Sequence, residues 1–132
     1  GVKVDQAPTG PGISAFRAEA ALRDLSYFVG YSGVQMLDAV RRGAEALMGG
    51  CGHLREDRKM LDGLLSGSDK EYRRLLPLLN FEMQTLDLVV AVHKQLLHQR
   101  GILATPLCRQ PCSTPDETHL EELRIHMQAI QQ

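Results

Sequence analysis

Apolar residues follow a helical spacing along much of this chain, most clearly between residues 72 and 97. The gaps between them alternate between four and three residues, and this spacing keeps one face of an α-helix turned toward a neighbour. The stripe consists of Tyr72, Leu76, Leu79, Met83, Leu86, Val90, His93 and Leu97. The pattern predicts a long helix over residues 69–100 that packs inside a helix bundle.

Weaker patterns of the same kind predict further helices. Residues 14–48 read as one helix bent near Gly30 and Gly33, or as two helices. A shorter helix is predicted over residues 53–65, and a last one over residues 115–131. Residues 1–13 contain two Pro and three Gly without periodicity, so a flexible tail is expected there. The predicted fold is all-α, an antiparallel bundle of four or five helices in one domain over residues 14–132.

The clearest helix start lies at Thr114. Its hydroxyl is placed to act as an N-cap, Pro115 then takes the first helical position, and Asp116 and Glu117 add acidic groups to the first turn. Thr114 is also a minimal site for a proline-directed kinase, and a phosphate at a helix N-terminus is favourable. Inside the long helix, Pro77 should introduce a kink or a break.

Composition supports helices and excludes several partners. Hydrophobic residues make up 43% of the chain and aromatic residues 5%, so straight-chain and small side chains must fill the core. The net charge is −1 with acids and bases interspersed, which argues against nucleic-acid binding and against a polybasic membrane surface. The longest apolar run is the five residues 88–92, too short to span a bilayer. An intracellular protein is expected.

The three cysteines suggest two possible roles, metal binding and redox chemistry. Cys51, Cys108 and Cys112 together with His53 could supply four zinc ligands, although their spacing fits a zinc site only loosely. Cys108 and Cys112 could also form a redox pair. Free thiols are the expected state, since three cysteines fit a reduced compartment. His93 is expected to be an ordinary core or boundary residue, because its helix face carries no second metal-binding side chain three or four residues away. No metal or cofactor is predicted.

Catalytic motifs are also missing from the pattern. No nucleophile and base can be paired, and no two carboxylates are placed for acid–base work. The glycine-dense segment 49–52 follows a predicted helix and lacks the Lys-Ser/Thr ending of a phosphate-binding loop, so helix capping explains it. The sequence therefore predicts a protein that is not an enzyme.

A second apolar stripe on the long helix suggests a partner surface. It consists of Phe81, Leu88, Val92 and Leu96. A helix that is apolar over so much of its circumference is either central in its bundle or shared with a partner. The predicted function is that of an adaptor, scaffold or assembly domain, whose apolar groove binds a partner helix, a peptide or a second copy of the chain. A bundle that binds lipid or a small ligand, and a helical domain dependent on zinc or on redox state, remain alternatives.

Overall fold

A small parallel β-sheet occupies the first part of the chain. The computed structural model of the protein describes residues 1–19, 21–22 and 24–131. Within them the sheet has three strands, β1 (Val2–Val4), β2 (Tyr27–Val29) and β3 (Ala46–Leu47), in the order β1-β2-β3. Val2 pairs with Tyr27, and Phe28 pairs with Ala46, so each strand lies beside the next one in the sequence.

Helices connect these parallel strands. The helix α1 (Thr9–Ala18) lies between β1 and β2, while a 3₁₀ turn (Tyr31–Gly33) and α2 (Met36–Arg41) lie between β2 and β3. Parallel strands need such crossover connections, because the chain must return to the same end of the sheet before the next strand begins. The first 47 residues are therefore two consecutive strand–helix–strand units.

The rest of the described chain is helical. It contains α3 (Leu54–Leu65), α4 (Lys70–Gln84), a 3₁₀ turn (Leu86–Leu88), α5 (Val89–Gln99) and α6 (Glu117–Gln131). The helix α4 is central, since it packs against both α3 and α6. The Tyr72 hydroxyl donates a hydrogen bond of 2.7 Å to the carbonyl oxygen of Val34, which ties α4 to the segment that follows β2.

The hydrophobic core lies on one side of the sheet. Val4, Tyr27 and Val29 point toward the helices and are buried among core residues from α2, α3 and α4. Side chains alternate between the two faces of a strand, so Lys3 and Phe28 point the other way. Lys3 is exposed and Phe28 is half-buried, and neither belongs to the core. The opposite face of the sheet is thus left open by the described residues of this chain.

The prediction of one or two helices over residues 14–48 is wrong, and with it the all-α bundle. That range contains β2, α2 and β3. The strands are only two or three residues long, so their alternation is too short to be told from one turn of an apolar helix face. Residues 2–4 of the predicted tail form β1, and α1 already begins at residue 9.

The helical predictions for the second half of the chain are closer to the structure. The helix predicted over 53–65 is confirmed as α3. The long helix predicted over 69–100 is present as α4 and α5, which meet at an angle of 90° near Thr85. The last helix begins at Glu117, and the Asp116 carboxylate accepts a hydrogen bond of 3.0 Å from the backbone N–H of His119. Asp116, rather than Thr114, therefore caps α6.

A helix that spans a membrane must be both long enough and apolar enough to cross the bilayer. Among the described residues, no individual helix meets both requirements. Residues 70–84 and 86–99 meet them only when taken together as a pair, and this pair is bent by 90°.

Candidate active site

A charged pair stands on the open face of the sheet. The Lys3 ammonium lies 2.9 Å from a carboxylate oxygen of Asp5, with 42% and 54% of the two side chains exposed. Lys3 is in the middle of β1 and Asp5 directly follows the strand, so the two side chains share a face with period two. A basic amine and a proton acceptor therefore stand together at the carboxyl end of β1.

Gly30 makes room for this pair. It follows β2 next to Asp5, and its backbone N–H donates a hydrogen bond of 3.3 Å to the carbonyl oxygen of Val4. A Cβ at position 30 would lie 1.7 Å from Oδ1 of Asp5 and 3.3 Å from Cε of Lys3. Any side chain at position 30 would displace the Asp5 carboxylate, so the contact between Lys3 and Asp5 requires glycine at this position.

The turn after β2 has an unusual backbone. Tyr31 and Ser32 both have φ of 49°, and Gly33 has φ of 81°. For residues other than glycine the left-handed region costs roughly 1–2 kcal/mol per residue. Strained backbone of this kind collects at binding and catalytic sites, where the surrounding structure holds it in place. The strained turn directly follows Gly30, at the same end of the sheet as Asp5.

A second group of polar side chains is buried between three helices, away from the sheet. His53 precedes α3, and its ring is fully buried. Its Nδ1 lies 2.9 Å from Oδ1 of Asp57, one turn along α3, and its Nε2 lies 2.8 Å from Oε1 of Glu82 on α4. His93 on α5 completes the group, with its Nδ1 3.7 Å from the same Glu82 oxygen. We call these four residues the histidine cluster.

Burial and charge act against each other on the titratable groups of the histidine cluster. Burial alone would lower the pKa of His53, but hydrogen bonds and charge attraction from Asp57 and Glu82 outweigh it and raise that pKa to about 10. Burial raises the pKa of Asp57 and lowers the pKa of His93. The two neighbouring carboxyl groups therefore favour the charged form of the His53 ring, whereas burial favours the neutral form of His93.

Two oxygen atoms of the histidine cluster have no hydrogen-bond partner. They are Oδ2 of Asp57 and Oε2 of Glu82, and both are buried. Buried polar atoms in folded proteins are nearly always paired, because leaving one unpaired costs its full desolvation energy. His93 is partnered at one ring nitrogen: the backbone N–H of Gly52 donates to its Nδ1 at 3.2 Å.

The residues predicted to bind a partner lie in the core. Phe81, Leu88, Val92 and Leu96 are all buried, with at most 8% of each residue exposed. Nothing in the structure tests whether they contact a partner, so that role stays a prediction. Thr114, predicted as a phosphorylation site, is exposed in the segment before α6.

The cysteines do not join the residues that could hold a metal. Cys51, Cys108 and Cys112 are free thiols, with Cys51 and Cys112 exposed. His53 is fully buried and faces carboxylates instead of thiols. Among the described residues, the group with metal-binding geometry consists of His53, Glu82 and His93, whose ligand atoms lie within 4.8 Å of one another.

Comparison with solved structures identifies the fold. The chain superimposes on a crystal structure of dihydrodipicolinate synthase from Rhodopseudomonas palustris with a TM-score of 0.85. The alignment covers 96% of this chain and 44% of that chain, with 24% sequence identity. That enzyme is a TIM barrel, in which parallel strands alternate with helices and follow one another around the sheet in sequence order. This chain has the fold of part of a TIM barrel.

Sequence comparison adds no family to this result. No protein-family model matches the chain, and no curated protein is similar to it in sequence. The chain spans less than half of the solved TIM-barrel chain that it resembles.

The likeness corrects the functional predictions along with the fold. The all-α bundle is wrong because the chain has a parallel sheet and superimposes on a TIM barrel. The prediction of a non-enzymatic adaptor is wrong, because its apolar groove depended on that bundle. The prediction of a protein that is not an enzyme, made from the lack of catalytic motifs, is contradicted by the likeness to an enzyme.

Sequence reasoning missed Lys3, Asp5 and Gly30 altogether. A sequence signal was present, since Lys3 and Asp5 alternate with Val2 and Val4 as on a strand with one polar face. The alternation covers too few residues to distinguish a strand from a flexible tail. In a TIM barrel, by contrast, the ends of short strands are where catalytic side chains lie.

Proposed function

We propose that the chain forms part of a TIM-barrel enzyme, a lyase in which Lys3 attacks the carbonyl group of a small substrate. The observation that carries this proposal is the position of Lys3 in the middle of a parallel strand, on the open face of the sheet and 2.9 Å from Asp5. The likeness to an enzyme with the TIM-barrel fold supports the same conclusion.

The open face of the sheet favours a closed barrel. Parallel sheets are normally covered on both faces, and in a TIM barrel the inner face is covered by the remaining strands. Val4, Tyr27 and Val29 already pack against helices, as the outer face of a barrel strand does. Lys3 and Phe28 would then point into the barrel. We infer that further parallel strands of the complete enzyme close over this face.

Lysine in such a position is suited to covalent catalysis on carbonyl groups. The neutral amine of Lys3 adds to the carbonyl carbon, and the carbonyl oxygen leaves as water, so that a C=N bond replaces the C=O bond. The protonated imine withdraws electrons from the neighbouring carbon. A carbon–carbon bond one atom further on can then break, with its electron pair passing toward the imine nitrogen, which is the chemistry of a lyase.

Asp5 is placed to accept and return a proton in this step. Its carboxylate lies 2.9 Å from the Lys3 nitrogen, so it can accept the proton that the ammonium must lose before attack. The same carboxylate can return that proton to the departing oxygen. Gly30 has no side chain that would push the Asp5 carboxylate away from Lys3.

Borohydride trapping tests the covalent step directly. The intact protein is incubated separately with acetaldehyde, acetone and pyruvate in the presence of borohydride, which reduces an imine to a stable amine. Mass spectrometry of the digested protein should place the added mass on Lys3 for at least one of these carbonyl compounds. The variant Lys3→Met should lose this adduct.

Lys59 provides the matched control for Lys3. It lies exposed on α3, away from the sheet, so Lys59→Met removes an amine without touching the proposed site. This variant should form the adduct as well as the unchanged protein does. Labelling that is spread evenly over the surface lysines, or that persists undiminished in Lys3→Met, would refute the proposed role of Lys3.

A further inference from the structure

We propose that the histidine cluster is a zinc site, in which His53, Glu82 and His93 bind the ion and Asp57 orients His53. The site would join the helices α4 and α5 to the start of α3, where these residues lie. It is separate from the open sheet face that carries Lys3, and it does not depend on the proposed lyase activity. Two histidines and one glutamate form a known ligand set for zinc in proteins.

The distances between the possible ligand atoms fit a single small ion. His53 Nε2 lies 2.8 Å from Glu82 Oε1, and His93 Nδ1 lies 3.7 Å from that oxygen. Ligand atoms about 2.0–2.1 Å from a tetrahedral zinc ion lie about 3.3 Å apart. The two distances to Glu82 Oε1 fall on either side of this value, and all three ligand atoms lie within 4.8 Å of one another.

The charges of the histidine cluster favour a divalent cation. Asp57 and Glu82 bring two carboxyl groups into a buried region beside His53, and one oxygen of each has no hydrogen-bond partner. An uncompensated buried charge is costly. A zinc ion bound between the two imidazoles would supply positive charge beside both carboxyl groups, and the ring nitrogens that bind it must carry no proton.

The unpaired oxygen of Glu82 independently points to a ligand. Its Oε2 is buried without a hydrogen-bond partner, and Glu82 as a whole is completely buried. A carboxylate that binds a metal ion through one or both oxygens needs no further donor there. Nothing else among the described residues accounts for this atom.

Asp57 occupies the position that supports a zinc-bound histidine. When Nε2 of a histidine binds zinc, the N–H at Nδ1 usually donates to a carboxylate, which fixes the ring and makes it a better ligand. His53 Nδ1 lies 2.9 Å from Asp57 Oδ1, as this arrangement requires. Asp57 is therefore a positioning residue, and its loss should weaken zinc binding by roughly 10–100-fold.

Zinc binding would replace the present hydrogen-bond partner of His93. Its Nδ1 now accepts a hydrogen bond of 3.2 Å from the backbone N–H of Gly52, which is long for a bond of this type. Coordination through Nδ1 would replace that hydrogen bond. Gly50 and Gly52 lie against the imidazole, and a Cβ on either would come within 2.6 Å of a ring nitrogen.

Cobalt and zinc binding to the intact protein test the site. The protein is stripped with a chelator, loaded with Zn²⁺ or Co²⁺ and dialysed, and bound metal is measured by elemental analysis. We expect one zinc per chain and the visible absorption of tetrahedral cobalt without an intense thiolate band. Glu82→Gln and His93→Gln should each lose the bound metal, while Asp57→Asn should bind it about 10–100-fold more weakly.

Two control variants separate this site from other metal-binding groups. His98→Gln removes an exposed histidine of α5, and the double variant Cys108→Ser/Cys112→Ser removes two thiols; both should keep one zinc per chain. Loss of zinc in the cysteine variant would overturn the proposal. Failure of the folded, unchanged protein to retain stoichiometric zinc would overturn it too, even if Glu82→Gln and His93→Gln proved unable to fold.

Discussion

The backbone of Gly50 lies directly against the imidazole of His93, so closely that a Cβ at position 50 would sit 1.9 Å from Nε2. No real Cβ contact is that short, and His93 is buried with little room to move. We expect Gly50→Ala to lower the free energy of unfolding by about 1–3 kcal/mol, the usual cost of overpacking a buried site. Urea denaturation followed by circular dichroism measures this loss.

A double-mutant cycle shows whether the imidazole is responsible. In the His93→Ala background the clashing ring is absent, so the additional cost of Gly50→Ala should be much smaller than in the unchanged protein. Equal costs in both backgrounds would show that Gly50 is required for some other reason, such as its backbone conformation.

The close contact between Gly30 and Asp5 gives a prediction about chemistry. Gly30→Ala places a methyl group 1.7 Å from the present position of Asp5 Oδ1, so the carboxylate must turn away from Lys3. The rate of borohydride-trapped adduct formation should fall at least tenfold. Complete loss of a general acid–base group costs about 10²–10⁴-fold, and the displaced carboxylate keeps part of its effect. Gly63→Ala, inside α3, should leave the rate unchanged, and a similar fall in that variant would disprove the argument.

The capping of α6 can be assigned by comparing two neighbours. Asp116→Ala removes the carboxylate that accepts the His119 N–H, and it should lower both helix content and the midpoint temperature of unfolding. Thr114→Ala should change neither, because α6 begins three residues later. The reverse ranking would restore Thr114 as the cap.

The pH dependence of this cap follows from the same contact. Hydrogen bonds from His119 hold the pKa of Asp116 below its usual value. The group therefore stabilises the folded state above the pKa of the unfolded chain, and this contribution is lost as the pH falls through the lowered folded-state pKa. The difference between the unchanged protein and Asp116→Ala should vanish in acid.

The strained turn after β2 offers a stabilising substitution. Ser32 has φ of 49°, a conformation that glycine adopts without steric cost. We expect Ser32→Gly to raise the unfolding free energy by up to about 1 kcal/mol, since relief of strain outweighs the greater flexibility of glycine in the unfolded chain. A decrease in the unfolding midpoint would show that the Ser32 side chain stabilises the turn more than its backbone strains it.

The helices could be predicted from sequence better than the strands, for a physical reason. The helix α3 carries its apolar residues over three turns, long enough to establish a period of 3.6 residues. Each strand has two or three residues in the sheet, and paired residues are 25 positions apart between β1 and β2 and 18 apart between β2 and β3. Tyr27–Val29 is composed of aromatic and β-branched residues, but so short a run also fits a helix face.

The candidate sites show the same limit. His93 lies on the apolar stripe of the predicted long helix, where no histidine or carboxylate three or four residues away shares its helix face. Glu82 belongs to the preceding helix and His53 lies 40 positions earlier in the sequence, so no local spacing connects the three. The roles of Lys3 and Asp5 become apparent only once β1, which contains Lys3 and precedes Asp5, is known to belong to a parallel sheet.

The sharp corner near Thr85 has a consequence for how this region folds. In one straight helix, Glu82 and His93 would be about 16 Å apart along the axis, at 1.5 Å per residue. The 90° corner instead brings the two side chains together, with His93 Nδ1 3.7 Å from Glu82 Oε1. Neither helix can acquire these contacts by growing alone, so α4 and α5 should open together as one cooperative unit. Their slowest amide protons should therefore exchange with solvent at the same free energy.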